Sequence, residues 1–391
     1  MNKLNFLLLT SRFSLLILSL LAVLLSACQS QTPTVDSNSV MTQIVQTAMV
    51  LIQQTKTVST PVPTKTAIPT PTLPLTPPAL PATFTTTALN PLDTPHTYIN
   101  DECQYLKAKW TSTNAAPGTI VMVIMIHGID QGTPVNPYDI SVHDFNQLMD
   151  GLHSGGFTAI SMQQMTGFMY NNAKIPQLSA LMIQDDRHTA QNFTDHFLPY
   201  YKKWGWPVIN AWISGFGGSD PYLAQNVALA QQGWVIYQAH GVIHNIPISS
   251  SSTDEFILSE LQGSINNIQK YFGKAPVAYI WPLGGFTPKA VQVARQVGYS
   301  IGFTDFPRGP VMFNWVPQAD QADPQRPDLI AEGSAGDPLM LLPRYWDTDA
   351  YQHFGTVRAI SSAAAAYAQQ NKAVEMQYYN IVCAPKDGPM P

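Results

Sequence analysis

The chain has only three cysteines, Cys28, Cys103 and Cys383, enough for one disulfide but not for a disulfide framework. It has no Gly-x-Gly-x-x-Gly, no P-loop and no internal period, so nothing points to a dinucleotide fold, a phosphate-cradling loop or a repeat array. Positive charge is scarce: Lys and Arg total 20 against 25 Asp and Glu, a formal net charge of −5. That balance gives no electrostatic case for nucleic acid as a partner. The apolar run at residues 13–25 is too short for a comfortable transmembrane helix.

That run has the features of an export signal. Lys3 and Arg12 precede it, and it ends in Leu25-Ser26-Ala27-Cys28, which resembles a bacterial lipobox. Residues 1–27 are therefore expected to be a lipoprotein signal peptide, with Cys28 becoming a lipidated N-terminus. The mature protein would be anchored to the outer face of a bacterial membrane. Losing Lys3 and Arg12 removes two positive charges and takes the formal charge from −5 to −7. In an exported protein disulfides persist, and a Cys103–Cys383 bond would tie together the two ends of the globular region.

Residues 28–97 read as a Thr/Pro-rich, disordered tether. Residues 60–97 contain ten prolines and twelve threonines, with Asp93 the only acidic residue. Proline removes backbone donors and favours extended polyproline II, so these 38 residues could reach roughly 100 Å from the membrane. Within 40–55, Met41, Ile44, Val45, Ala48, Met49 and Ile52 fall at helical spacing.

Residues 98–385 are long enough for one large core. Strand-like runs fall at 119–126, 157–161, 180–184, 207–213, 234–238, 277–281, 299–304 and 339–342. Helical patterns fall at 142–153, 190–203, 221–232, 253–272, 288–297 and 351–370. Strand alternating with helix over the whole span predicts a single α/β domain with a parallel sheet, most simply a distorted (β/α) barrel.

The residues with chemical potential follow those strands: His127, Asp185-Asp186, His240 with His244, Pro282-Leu283-Gly284, Asp305, and Pro343-Arg344. In a (β/α) barrel all of these open onto the C-terminal mouth, where catalysis occurs. Two imidazoles and a carboxylate suit a zinc-like divalent ion with a position left for water, and a second carboxylate beside the ion can act as a base. The Asp185–Asp186 pair is not itself a glycosidase couple, because adjacent strand residues point to opposite sides. His240-Gly241-Val242-Ile243-His244 is not a zincin motif, lacking the glutamate beside the first histidine.

With these residues placed, residues 120–346 resemble the polysaccharide deacetylase family, the NodB-homology domain of carbohydrate esterases. Met125-Ile126-His127 is similar to the family's opening strand. Ile183-Gln184-Asp185-Asp186-Arg187 matches the aspartate motif, and His240-Gly241-Val242-Ile243-His244 matches the spacing of the two-histidine motif. Trp281-Pro282-Leu283-Gly284 matches the third motif, and Leu342-Pro343-Arg344 the ending of one branch. The resemblance implies that Asp186, His240 and His244 bind a divalent metal, most simply Zn2+, and that Asp185 is the base. It also implies an oxyanion donor in the backbone near Leu283.

Four departures bear on the chemistry. Arg187 stands where the family has glycine, and Gly241 where it has Ser or Thr. Trp281 precedes Pro282 in a motif that often carries arginine. The late Leu-x-x-His, source of the general acid, gives way to Leu341-Leu342-Pro343-Arg344. Arg344 stays protonated and is suited to orienting Asp185 or stabilising charge; His127 and His188 are the candidate acids. Three functions stay open at this point. They are removal of N-acetyl groups from a surface or extracellular polysaccharide, glycan binding without turnover, and O-acetyl ester hydrolysis. For binding, Trp204, Trp206, Trp212, Trp281 and Trp346 are the candidate sugar-stacking faces.

Overall fold

The structure is a computed structural model that describes residues 76–216, 219–324 and 330–390. The signal segment, Cys28, the helical spacing at 41–52 and most of the expected tether lie outside the described residues.

The described chain opens with β1 (Asp93–His96), α1 (Glu102–Trp110) and β2 (Ile120–Ile126). Two short strands, β3 (Ile129–Asp130) and β4 (Ile140–Ser141), lead into α2 (Val142–Ser154), β5 (Thr158–Ala159), α3 (Met162–Asn171) and β6 (Leu178–Gln184). Then come α4 (Ala190–His196), α5 (Leu198–Trp204), β7 (Val208–Trp212), α6 (Leu223–Ala230), β8 (Val235–Ala239) and α7 (Asp254–Phe272). β9 (Ala278–Ile280), α8 (Pro288–Val297) and β10 (Ile301–Phe303) are followed by β11 (Val311–Met312), β12 (Val316–Ala319), β13 (Tyr345–Trp346) and the long α9 (Asp347–Tyr378).

A nine-stranded sheet runs β10-β9-β8-β7-β6-β2-β11, with β5 pairing β6 and β13 pairing β2; only β11 is antiparallel. It curls into a half-barrel in the α/β arrangement expected from the sequence. Every residue of β2 is at most 1% exposed. Its unbroken Ile-Val-Met-Val-Ile-Met-Ile sequence suits a parallel strand covered on both faces, which has no need of a polar side. Helix ends carry their own signals. Ser141 caps α2, Thr253 caps α7 and Thr287 caps α8, each accepting from the backbone N–H three residues on. α9 packs along α2 and β2, and at Gly118 the backbones come so close that a Cβ would stand 2.6 Å from the Ser361 carbonyl oxygen.

Three expectations are corrected. The helix expected at 190–203 breaks at Phe197 into α4 and α5, because Pro199 in the first turn of α5 has no N–H to continue the ladder. Residues 339–342 are not a strand: Pro338–Met340 forms a 3-10 turn that begins on a proline. Leu342 then makes one parallel bridge to Phe303, and Tyr345–Trp346 pairs with Ile124–Met125 of β2. The run 342–346 thus reaches from β10 to β2. Lastly, residues 76–97, read as spacer, lie against the domain. β1 pairs antiparallel with β12, and Phe84 packs on Trp315 and Tyr367 at ring-centroid distances of 6.0 and 5.6 Å.

Cys103 and Cys383 form the expected disulfide, closing 280 residues and joining α1 to the segment beyond α9. Loop-closure entropy puts its contribution at about 5.6 kcal/mol, of which about 2–4 is typically realised. A Cys103→Ser/Cys383→Ser variant is expected to unfold at clearly lower denaturant in an equilibrium titration; an unchanged midpoint would show that the cross-link stabilises nothing.

Candidate metal centre

The site forms where β2, β6 and β8 end and where residues 342–346 cross. Asp185 continues β6 by donating its N–H to the Ile126 carbonyl at 2.8 Å. Asp186 then leaves the extended conformation with φ +68°, a left-handed geometry that costs a non-glycine residue roughly 1–2 kcal/mol. This turn separates the two adjacent carboxylates by role. Asp185 is held from the arginine side, while Asp186 faces the histidines that follow β8.

Asp186 Oδ1 lies 3.6 Å from His240 Nε2 and 3.3 Å from His244 Nε2. Two ligands about 2.1 Å from one ion at tetrahedral angles stand roughly 3.4 Å apart, so these spacings fit a shared cation. His240 Nδ1 lies 2.9 Å from the Ile280 carbonyl, which fixes the proton there and leaves the Nε2 lone pair for a ligand. Burial lowers the His240 pKa, although Asp185 and Asp186 oppose it, and so favours the neutral, ligating imidazole. Asp186 Oδ1 and His240 Nε2 are both buried without a hydrogen-bond partner. Such atoms cost about 1–3 kcal/mol each unless something satisfies them. A divalent ion would do so, and Asp186, His240 and His244 are the set among the described residues that could hold one.

A residue that sequence reading missed supports the histidine loop. Glu260 on α7 is 2% exposed, and its carboxylate accepts the N–H groups of Val242 at 2.8 Å and Ile243 at 3.0 Å. Gly241, at φ +75°, has no room for the hydroxyl residue the family carries: a Cβ would lie 2.8 Å from Glu260 Oε2 and 3.1 Å from Pro282. The departure at 241 therefore goes with a different support for the loop. Nothing near 240–244 in sequence marks Glu260, which lies a helix away.

Arg344 is 1% exposed and its Nη1 reaches both Asp185 oxygens, at 2.7 and 2.8 Å, while Nε donates to the Thr304 carbonyl at 2.6 Å. Burial pushes the Asp185 carboxyl up, but Arg344, His240 and His127 together overcome it and hold the group at about 2. Arg187 turns away from Asp185. It pairs with Asp220 at 3.0 Å and lies over the Phe216 ring at 3.5 Å.

The two candidate acids separate by position. His188 Nε2 sits 2.9 Å from the Asp185 backbone carbonyl and 2.9 Å from Gln184 Nε2, committed to the backbone side of the strand end. His127 Nε2 faces the Asp185 carboxylate at 3.8 Å, its ring stacked on Trp346 at 5.4 Å and 16°. Leu283 occupies the turn after β9 with φ +54° and is 47% exposed. Of the five tryptophans, Trp346 is the one whose ring stacks on a residue facing Asp185. Trp206, Trp212 and Trp281 are buried, Trp281 donating to the Met340 carbonyl at 2.8 Å, and Trp204 is stacked on His153 at 4.1 Å.

Asp347 was also missed, since an acid in a helix's first turn is ordinary. It is 2% exposed, and burial pushes its carboxyl up to about 8, Asp139 and Asp185 adding to that, while the N–H groups of Thr348 and His127 offset only part. With a folded pKa above the ordinary 3.8, its contribution to stability is fully present below pH 4 and is lost as pH rises toward 8. Asp347→Asn should therefore raise Tm relative to the parent by an amount that grows between pH 4 and 8. A difference independent of pH would contradict the burial account.

The polysaccharide deacetylase family pattern matches residues 174–302 of this chain. No curated protein matches. Among solved structures, the chain is similar to the Streptococcus pyogenes deacetylase PplD in complex with acetate. Identity is 17% over 62% of this chain and 99% of that one, with a TM-score of 0.48. It is also similar to IcaB from Ammonifex degensii, with 17% identity over 63% and 98% of the chains and a TM-score of 0.47. A third similar structure is BC0361, a polysaccharide deacetylase from Bacillus cereus, with 19% identity over 61% and 69% and a TM-score of 0.45. The matched segment, residues 174–302, contains Asp185, Asp186, His240 and His244, so the part of the chain that resembles the polysaccharide deacetylase family is the part that carries the candidate ligands.

Proposed function

We propose that this chain is a metal-dependent hydrolase that removes N-acetyl groups from a cell-surface or extracellular polysaccharide, anchored outside a bacterial membrane through lipidated Cys28. The observation that carries the reading is the pairing of two buried, unpartnered ligand atoms, on Asp186 and His240, with an arginine-held carboxylate on the adjacent residue. The Cys103–Cys383 bond supports an oxidising compartment.

Asp186, His240 and His244 would hold the ion, and their two-nitrogen, one-oxygen donor set favours Zn2+. When bound, the ion supplies a Lewis acid for the acetyl carbonyl and lowers the pKa of nearby water. Asp185, whose carboxyl Arg344 holds well below the usual carboxylate range, takes the proton from the water that attacks the carbonyl carbon. Arg344 holds that carboxylate in place through both oxygens and keeps it charged. The oxyanion that develops is assigned to a backbone N–H at Leu283. As the carbon–nitrogen bond breaks, the leaving amine needs a proton; His127, rather than His188, is the imidazole that faces the catalytic carboxylate. The products are acetate and a free amino sugar. The same residues would hydrolyse an O-acetyl ester, and Trp346 with Tyr138 stacked on it at 5.4 Å offers an aromatic wall to a sugar without turnover.

Acetate release from N-acetylated oligosaccharides, compared with matched O-acetyl esters, separates the three readings. Zinc-loaded protein should release acetate from the amide, and Asp185→Asn, compared at matched zinc content, should lower kcat by about 10²-fold or more. Sugar binding without zinc-dependent acetate release would sink the hydrolase; faster ester cleavage would make it an esterase.

A further inference from the structure

At the other end of β2 from His127, about 23 Å away for seven strand residues, the fold forms a cavity of about 370 Å³ that is partly open to solvent. None of the metal-centre residues lines it. This size lies at the lower end of ligand pockets, about 300–1,000 Å³.

One wall is the segment that the sequence assigned to the spacer. It is fixed in place by two side chains: Trp315 Nε1 donates to the Phe84 carbonyl and Tyr367 Oη to the Ala82 carbonyl, each at 2.8 Å. The rings of Phe84, Trp315 and Tyr367 meet there. Opposite, Tyr105 lies nearly parallel to Phe313, with centroids 6.1 Å apart and planes at 20°.

The polar groups in this lining narrow the ligand class. Asn314 Oδ1 accepts the N–H groups of Tyr98 and Ile99 at 2.8 Å, while its amide nitrogen has no partner among the described residues. The Tyr105 hydroxyl has none either, and burial raises its pKa so that it remains a donor. Lys109 is neutralised by Glu375 at 2.8 Å, which leaves Glu102 as the uncommitted charge. A fatty chain would leave the Tyr105 and Asn314 donors unsatisfied, and an anion would meet Glu102. A pyranose offers an apolar ring face to the aromatic walls and hydroxyls to the donors and the carboxylate.

We propose that this cavity binds one or two pyranose units of a saccharide at a site separate from the metal centre. The proposal rests on the polysaccharide reading only for the choice of ligand. For a polymeric substrate, a second hold on the same chain raises its effective concentration near the metal centre.

The test is calorimetric titration of N,N′-diacetylchitobiose into the full chain, into an Asp186→Ala/His240→Ala/His244→Ala variant, and into a Glu102→Gln/Tyr105→Phe variant of that background. Saccharide binding should survive the loss of the metal centre and then weaken at least about fivefold in the cavity variant, as expected for lost hydrogen bonds. With an intact metal centre, Glu102→Gln/Tyr105→Phe should raise KM for a long polymer while leaving disaccharide turnover unchanged. No binding once the metal centre is removed, or binding indifferent to Glu102 and Tyr105, overturns the cavity site. Acetate release alongside such a result leaves the hydrolase standing; binding by the cavity without acetate release leaves the cavity standing and removes the hydrolase.

Discussion

The site depends on a buried ion pair. Arg344 and Asp185 are 1% and 2% exposed, and neither charge could be buried without the other. Desolvating both costs several kcal/mol per ion, which only close geometry and further hydrogen bonds offset. The structure supplies these. One guanidinium nitrogen reaches both carboxylate oxygens, Nε goes to the Thr304 carbonyl, and the Arg344 backbone N–H goes to the Phe306 carbonyl at 3.1 Å. The pair therefore does two things. It keeps Asp185 ionised, and it pins the run 342–346 between β10 and β2, which also brings Trp346 onto His127.

The remaining geometry follows from that fixed carboxylate. Asp186 is forced out of the strand to a positive φ and so faces the histidines instead of its neighbour's arginine. His240 is aimed by the Ile280 carbonyl, and the backbone between the histidines is gripped by Glu260. A strained residue, two unsatisfied ligand atoms and a buried carboxylate supporting a loop each cost stability. Their convergence on one point is the pattern of a site rather than of a core.

Much of this was legible in the sequence, and the parts that were not share a cause. Strands such as 119–126 announce themselves because a doubly covered parallel strand is apolar throughout. Asp185, Asp186, His240 and His244 stand out because polar residues follow those runs at the spacing of a known family. Glu260 and Asp347 gave no local signal, since each is an ordinary helix acid until tertiary packing buries it. The stretch 76–97 reads as spacer from its prolines and threonines, yet Phe84 and β1 find partners more than 200 residues away, in Trp315 and β12. Composition cannot anticipate that. The tryptophans fail in the other direction: their type suggested sugar faces, and packing assigned three of the five to the interior.

Everything proposed for this site turns on Asp186, His240 and His244 holding an ion. Elemental analysis of the protein purified without chelator, set beside the Asp186→Ala/His240→Ala/His244→Ala variant, tests it most directly. About one zinc per chain is predicted in the parent and none above background in the variant. A parent that remains metal-free after incubation with zinc, or a variant that retains the parent's zinc, would contradict the account.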